Sequence, residues 1–150
     1  AKVPFISKNE MSVNEEIDVD GTVMNVTAVS MGNPHAVFFV DRATDSIVRG
    51  LGPKIEIHQR FPEKTNVEFI EVISKKEMNM KVWERGAGET LACGTGACAS
   101  LVAAVLNNKT DNSALIHLMG GDLTIEWNRE SNHVFKTGPA KLVFNGVLTL

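Results

Sequence analysis

The sequence predicts an α+β fold in a single domain over residues 1–150, with about eight strands packed around one buried helix. The helix is predicted at residues 97–106 (ACASLVAAVL), because every residue there is small or apolar and a surface helix needs a polar face. The strands are predicted from short runs in which apolar and polar residues alternate between turn signals. A length of 150 residues favours one domain, and a hydrophobic content of 43% can supply its core.

The chain begins with predicted strands. Residues 15–20 alternate in the strand manner, Asp20–Gly21 is a strong hairpin signal, and residues 22–31 run back. The segment Gly32-Asn33-Pro34-His35 interrupts this run, and an apolar strand resumes at residues 36–40.

A helical region is predicted next. Residues 41–50 place Ile47 and Val48 on one side, and Thr44 is the candidate N-cap. Pro53 is expected to open a second short helix, where its missing N–H costs little, and Phe61–Pro62 is expected to end it.

Most of the remaining chain is predicted to be strand. Residues 66–74 and 77–85 form two strands joined by a charged turn, and the buried helix follows them. Four further strand candidates come after the helix, at residues 114–119, 123–127, 133–136 and 141–150.

Cys93 lies just before the predicted helix, after a turn that holds Gly86 and Gly88. A helix N-terminus carries about half a positive elementary charge and unpaired N–H groups. These favour a thiolate, so the pKa of Cys93 is expected to fall below the usual value of about 8.5. The same N–H groups can hold a carboxylate. The alternative is a buried cysteine that packs as a small hydrophobic residue.

Four segments carry a family resemblance. The stretch ERGAGETLACGTGACAS, at residues 84–100, resembles the signature of the diaminopimelate epimerases, which are racemases that need no pyridoxal phosphate. GNPH at residues 32–35, FPEKTNV at 61–67 and TGPA at 137–140 resemble the same family, in the family's order. The match covers nearly the whole chain but only the second half of the family's length. The resemblance therefore implies the C-terminal lobe of a two-lobed enzyme, with the N-terminal lobe absent.

The resemblance also implies a fold and a reaction. The family's fold is a barrel-like, mostly antiparallel sheet wrapped around a central helix, which agrees with the predicted strands. Its reaction interconverts LL- and meso-diaminopimelate by proton transfer between two cysteines and the α-carbon. Cys93 is expected to be one of these acid/base groups, and His35 is expected to line the site and tune it. Asn33 and Asn66 are expected to hold the distal amino-acid end of the substrate.

Four further residues are candidates for the site. Gly94 and Thr95 are expected to offer N–H groups to the reacting carboxylate, although Thr95 also suits a helix cap. Glu84 is assigned a catalytic or binding role, because a carboxylate there can bind the substrate ammonium or position a thiol proton; the alternative is a surface charge. Arg85 is expected to clamp a carboxylate bidentately or to pair with acidic residues near Glu84.

The second acid/base group is not found in this sequence. Cys98 lies five residues after Cys93, which is about 140° around a helix and one and a half turns along it, so it cannot reach the opposite face of a shared substrate. We predict that Cys98 is structural. In the family the other cysteine belongs to the first lobe, so the isolated chain is expected to be inactive or only partly active. No cofactor is expected.

Composition limits the classes of partner. The net charge is −3, no basic cluster suggests nucleic acid, and no apolar run approaches the roughly 20 residues of a membrane span. The four histidines lack metal-ligand spacing, so no metal site is predicted. Two cysteines near one helix favour reduced thiols and a cytoplasmic location. The expected partners are diaminopimelate and the missing N-terminal lobe, and a second copy of the chain is a further candidate.

Two other functions remain open from the residues alone. A non-catalytic module that binds an amino acid or a partner lobe is favoured by the missing second base. A cysteine hydrolase that acts through Cys93 needs a histidine paired with the thiol, and His35 is the candidate.

Overall fold

The fold is described for residues 3–149 by a computed structural model. It has nine strands and two helices within those residues. The strands are β1 (Glu15–Val19), β2 (Thr22–Ser30), β3 (Pro34–Phe39), β4 (Asn66–Ser74), β5 (Glu77–Glu84), β6 (Gly88–Glu89), β7 (Ser113–Leu118), β8 (Gly121–Asn128) and β9 (His133–Thr137). The helices are α1 (Asp45–Glu56) and α2 (Gly94–Leu106). The α+β prediction is confirmed.

The strands form one mixed sheet in the order β1-β2-β3-β4-β5-β7-β8-β9, with β6 paired to β5. The pairs β3–β4 and β5–β7 are parallel, and the other pairs in the described part of the chain are antiparallel. No pairing joins β1 to β9 within residues 3–149, so the sheet stays open at both edges. The expected barrel-like closure is therefore not seen.

The two helices pack on opposite faces of the sheet. Side chains alternate along β3 and β4, so that Val37 and Ile70 belong to the core with α2, whereas Phe38 and Phe69 belong to the core with α1. His35 lies two residues before Val37 and therefore points to the α2 face. Because of this alternation, only the polar side chains on the same face as Val37 and Ile70 can contact α2.

The hairpin predicted at Asp20–Gly21 is confirmed. Val19 pairs with Thr22 across a two-residue turn, in which Asp20 has φ 52° and Gly21 has φ 85°. Positive φ at both central residues suits the twist of the flanking strands.

The helical region differs from the prediction at Pro53. Thr44 caps α1 as expected, and its hydroxyl accepts a hydrogen bond from the Ile47 N–H. Pro53, however, lies inside α1 and does not open a second helix. The carbonyl that loses its donor there belongs to Arg49, which is exposed, and the buried Val48 and Ile55 hold both halves of the helix on the sheet.

One predicted strand, at residues 141–150, does not form in its described part, and one short strand, β6, is not predicted. Residues 141–149 form no strand and are exposed, because an apolar alternation makes a strand only where another strand completes its hydrogen bonds. Residue 150 lies outside the described residues. The two-residue strand β6 is too short to show a periodicity, and the sequence reading omitted it.

Candidate functional site

The site begins where β3 and β4 run parallel. His35 pairs in register with Asn66, and Glu68 follows Asn66 by two residues on the same face of the sheet. Both His35 and Glu68 therefore project toward α2. The sequence predicts that residues 32–35 interrupt the strand, but β3 starts at Pro34, so His35 is a buried strand residue.

His35 and Glu68 form a fully buried pair. The distance from His35 Nδ1 to Glu68 Oε1 is 2.6 Å, and neither side chain is exposed to solvent. Burial raises the pKa of Glu68, and the neighbouring His35 opposes this rise. Glu68 Oε2 has no hydrogen-bond partner among residues 3–149. A buried carboxyl group of this kind needs a proton or a counter-charge nearby.

Hydrogen bonds connect the buried pair to Cys93. The Oδ1 atom of Asn33 lies 3.0 Å from His35 Nε2, and its Nδ2 atom lies 3.4 Å from Thr95 Oγ1. Thr95 Oγ1 in turn lies 3.6 Å from Cys93 Sγ. We call these five residues, Glu68, His35, Asn33, Thr95 and Cys93, the Glu68–Cys93 network. His35 and Asn33, which were predicted for different roles, are thus linked to the thiol through Thr95.

Cys93 is the N-cap of α2, as its predicted place before the helix implies. Its sulfur accepts a hydrogen bond from the Gly96 N–H at 3.3 Å. The expectation of a lowered pKa is wrong in this structure. Burial raises the pKa of Cys93, and the nearby Glu68 and Glu84 carboxylates add to the rise, whereas the bonds from Thr95 and Gly96 oppose it. At 6% exposure, loss of solvation outweighs the helix terminus.

Gly96 keeps open the space between the buried pair and the thiol. A β-carbon at Gly96 would lie 2.7 Å from Glu68 Oε1, 2.9 Å from Met80 Cε and 3.1 Å from Cys93 Sγ. The first two contacts are closer than real β-carbons make and the third is tight, so Glu68 and Cys93 approach Gly96 from two sides.

Asn66 and the glycine-rich turn before β6 are tied together. Asn66 Nδ2 donates to the Pro34 carbonyl at 3.0 Å, and Asn66 Oδ1 accepts from the Arg85 N–H at 2.9 Å. The Arg85 guanidinium donates to the Glu63 carbonyl at 3.1 Å. The side-chain amide of Asn66 and the guanidinium of Arg85 are therefore both hydrogen-bonded to backbone groups of this chain.

Glu84 and Gly94 have neighbours that the sequence did not suggest. The Thr90 hydroxyl donates to Glu84 Oε1 at 2.5 Å. A β-carbon on Gly94 would lie 2.6 Å from Lys136 Nζ, so the Lys136 ammonium of β9 lies against the start of α2.

The predicted structural role of Cys98 agrees with its position, half-buried in α2 against the core, and both cysteines are free thiols.

Sequence reasoning missed Glu68 and Lys136. Glu68 had one visible signal, which is an acidic residue in the middle of the apolar run NVEFI at residues 66–70. Lys136 gave no signal, because only the sheet order brings β9 close to the N-terminus of α2.

The structure also tests a cysteine-hydrolase site, a metal site and a membrane-spanning helix. Both ring nitrogens of His35 are engaged, by Glu68 and Asn33, so His35 does not pair with the thiol as a cysteine hydrolase needs. No group of three His, Cys, Asp or Glu side chains in the described chain is arranged to hold a metal ion. Neither α1 nor α2 is long and apolar enough to cross a membrane.

The fold is shared with a class of racemases and epimerases. A probable proline racemase from Agrobacterium radiobacter K84 superposes with a TM-score of 0.59 at 14% identity, over 77% of this chain and 41% of that one. A hydroxyproline epimerase from Agrobacterium vitis gives 0.58 at 15% identity, over 77% and 40%. At such identities the likeness concerns the fold alone.

Sequence comparison identifies the family, which the structural likeness does not. The family model for diaminopimelate epimerase matches residues 27–143, so the chain belongs to the diaminopimelate epimerase family. The diaminopimelate epimerase of Desulforapulum autotrophicum is 58% identical over 97% of this chain and 51% of its own length. That of Heliobacterium modesticaldum is 52% identical over 99% and 53%. The chain therefore spans about half the length of these curated relatives.

Proposed function

We propose that this chain is the C-terminal lobe of an epimerase that interconverts LL- and meso-diaminopimelate without pyridoxal phosphate. The observation that carries the proposal is the position of Cys93, which caps α2 and is joined by hydrogen bonds to the buried His35–Glu68 pair. Membership of the family supports the choice of substrate. In this proposal Cys93 is an acid/base residue and His35 belongs to its immediate support.

The chemical step is a proton transfer at the α-carbon. A base on one face removes the α-proton, and the electron pair of the broken C–H bond is delocalised into the adjacent carboxylate. Cys93 then donates its S–H proton to the opposite face and becomes a thiolate; in the reverse direction the thiolate takes the proton. The raised pKa of Cys93 favours the protonated donor form at neutral pH. Such acid/base participation contributes about 10²- to 10⁴-fold in rate.

The reacting carboxylate is assigned to the N-terminus of α2. The N–H groups of Gly94 and Thr95 belong to the first helical turn, where no intrahelical acceptor exists. The positive end of the helix dipole and the Lys136 ammonium next to Gly94 add favourable charge.

The other substrate contacts are assigned by charge and donor type. Glu84 is assigned to the substrate ammonium, and Arg85 to a carboxylate, which requires it to leave the Glu63 carbonyl. Asn33 and Asn66 are assigned to the distal end of the substrate. Each amide oxygen accepts a second hydrogen bond and each amide nitrogen carries a second N–H, so the existing bonds leave capacity for a ligand.

The second base is assigned to the N-terminal lobe, outside this chain. Without that lobe the α2 terminus faces solvent on one side, and the carbanion lacks a base on its other face. We therefore expect the isolated chain to turn over substrate poorly or not at all, although the half-site can still bind it.

Deuterium uptake at the α-carbons of LL- and of meso-diaminopimelate in heavy water tests this proposal, because Cys93 removes the α-proton in only one direction of the reaction. Wild-type chain, Cys93→Ala and the matched control Cys98→Ala are compared by NMR. Exchange that is lost in Cys93→Ala and kept in Cys98→Ala supports proton transfer at Cys93. Exchange that survives in Cys93→Ala contradicts it.

A non-catalytic amino-acid-binding module is the second candidate. It is favoured by the raised pKa of Cys93 and by the missing second base. Exchange that depends on Cys93 excludes the module, because a module shifts the Gly94 and Thr95 amide resonances on titration with diaminopimelate but never exchanges the α-protons.

A further inference from the structure

Glu68 stands at the buried end of the Glu68–Cys93 network, and its side chain is fully excluded from solvent. Its only hydrogen-bond partner in residues 3–149 through a side chain is His35, and its second oxygen has none. Within the described residues, hydrogen bonds therefore lead from the Glu68 carboxyl group only to His35.

Burial limits the proton arrangements of this pair to two. Either a protonated Glu68 donates to Nδ1 of a neutral His35, or an ionised Glu68 accepts from Nδ1 of a protonated His35. The third arrangement, a carboxylate beside a neutral imidazole, leaves a net negative charge in a fully buried place. Both favoured arrangements put a proton on Nε2 of His35.

A proton on Nε2 fixes the direction of the next bonds. His35 Nε2–H donates to Asn33 Oδ1, which turns the amide nitrogen of Asn33 toward Thr95. Asn33 Nδ2–H then donates to Thr95 Oγ1. With its oxygen used as an acceptor, the Thr95 hydroxyl directs its own hydrogen at Cys93 Sγ. The sulfur thus receives two donors, the Thr95 hydroxyl and the Gly96 N–H.

The opposite tautomer of His35 would reverse this direction. A bare Nε2 attracts the Asn33 N–H, so that Asn33 Oδ1 faces Thr95 and accepts the hydroxyl hydrogen. Cys93 would then keep only the Gly96 N–H as a donor, and its thiolate would be less stable.

We propose that Glu68 is a positioning residue that acts through His35, Asn33 and Thr95 to direct the Thr95 hydroxyl at the sulfur of Cys93. The proposal rests on the proposed function only in that Cys93 is taken as the reacting group. Its tests read the tautomer and the thiol and need no turnover, so they can fail while the exchange experiment succeeds, or the reverse.

Nitrogen-15 NMR of the imidazole of His35 tests the first step. In the 150-residue chain we expect a protonated Nε2 across neutral pH. A bare Nε2 in the wild type would overturn the proposal outright, whatever the variants do.

Titration of ¹³Cβ-labelled cysteine tests the last step, in a Cys98→Ala background where only Cys93 reports. Thr95→Val removes the hydroxyl and should raise the pKa of Cys93 by about one unit, because a hydrogen bond to the charged form is lost. Glu68→Gln lets His35 take either tautomer and should raise that pKa in the same direction. In the Thr95→Val background Glu68→Gln should add nothing, since its effect passes through Thr95.

The sign of the Glu68→Gln effect separates this role from a plain charge effect. If Glu68 acted only as a negative charge near the thiol, its neutralisation would lower the pKa of Cys93. A lowered pKa, or a shift that adds fully to that of Thr95→Val, contradicts the proposal. The other charged groups near the thiol, Glu84 of β5 and Lys136 of β9, are unchanged in these variants.

The matched control is Glu126→Gln, an exposed change on β8, which should leave the pKa of Cys93 unchanged.

Discussion

The indole of Trp83 packs directly on the backbone of Gly52. A β-carbon at position 52 would lie 2.7 Å from Trp83 Cβ and 2.8 Å from Trp83 Cγ. The same indole donates its N–H to Glu56 Oε2 at 2.8 Å, and Glu56 Oε1 accepts from the Gly86 N–H at 3.0 Å. This contact between α1 and β5 therefore fixes the start of the turn that leads to Cys93.

Gly52→Ala is expected to destabilise the protein by about 1–3 kcal/mol, because the methyl group overlaps Trp83 and the helix must move. Gly50→Ala is the matched control in the same helix. A β-carbon at Gly50 meets nothing within 4 Å, so this change should stabilise by roughly 0.5–1 kcal/mol through helix propensity. Chemical denaturation of both variants measures the two free energies of unfolding. Equal effects of the two changes would contradict the packing of Trp83 on Gly52.

Asn66→Ala should lower the free energy of unfolding by roughly 1–3 kcal/mol. The change removes the partners of the Pro34 carbonyl and the Arg85 N–H, which lie at the two segments that frame the site. Asn25→Ala, an exposed change on β2, should stay within about 0.5 kcal/mol of wild type. Urea unfolding compares them. A wild-type stability for Asn66→Ala would mean that these two bonds are replaced by water at no cost.

His117 should make stability depend on pH. Hydrogen bonds that His117 donates to the Glu77 and Asp122 carboxylates raise the pKa of His117. A raised pKa in the folded state stabilises the protein fully below the unfolded value of about 6.5 and ceases to do so as the pH rises through the folded value. His117→Gln should therefore lower the unfolding free energy near pH 6 and leave it little changed near pH 9.

Thermal unfolding across that range measures the effect of His117. In a Glu77→Gln, Asp122→Asn background His117→Gln should lose its pH dependence, because the two carboxylates are its cause. A loss of stability that is equal at both pH values would show that His117 acts by packing and not by charge.

Residues 141–149 should promote association between copies of the chain. Their apolar side chains are strongly exposed, with Leu142 at 80% and Val147 at 97%, and contiguous exposed apolar surface favours association. Removing residues 141–150 should weaken self-association in a sedimentation velocity series and leave the unfolding free energy nearly unchanged. Leu142→Ser with Val147→Ser in the full chain should act in the same direction. A monomeric full chain at high concentration would contradict this expectation.

The sequence by itself determined most of the local structure. Apolar alternation, or a short apolar run in the case of β3, located eight of the nine strands in residues 3–149, because half-buried strands repeat every two residues. Residues 97–106 were found as a buried helix from their composition, and Cys93 was placed at its start. The motifs identified the family, and Asn33, His35, Thr95 and Cys93 were chosen from them before any contact was known.

Only the tertiary structure decided how those residues act. The parallel pairing of β3 with β4 brings Glu68 to His35, and no local pattern encodes a contact between residues 33 positions apart. Burial reverses the expected shift in the pKa of Cys93, because the helix terminus is visible in the sequence whereas the depth of the thiol depends on every element packed over it. The strand prediction at residues 141–149 is wrong for the same reason. Strand propensity is local, but a strand exists only where another strand completes its hydrogen bonds.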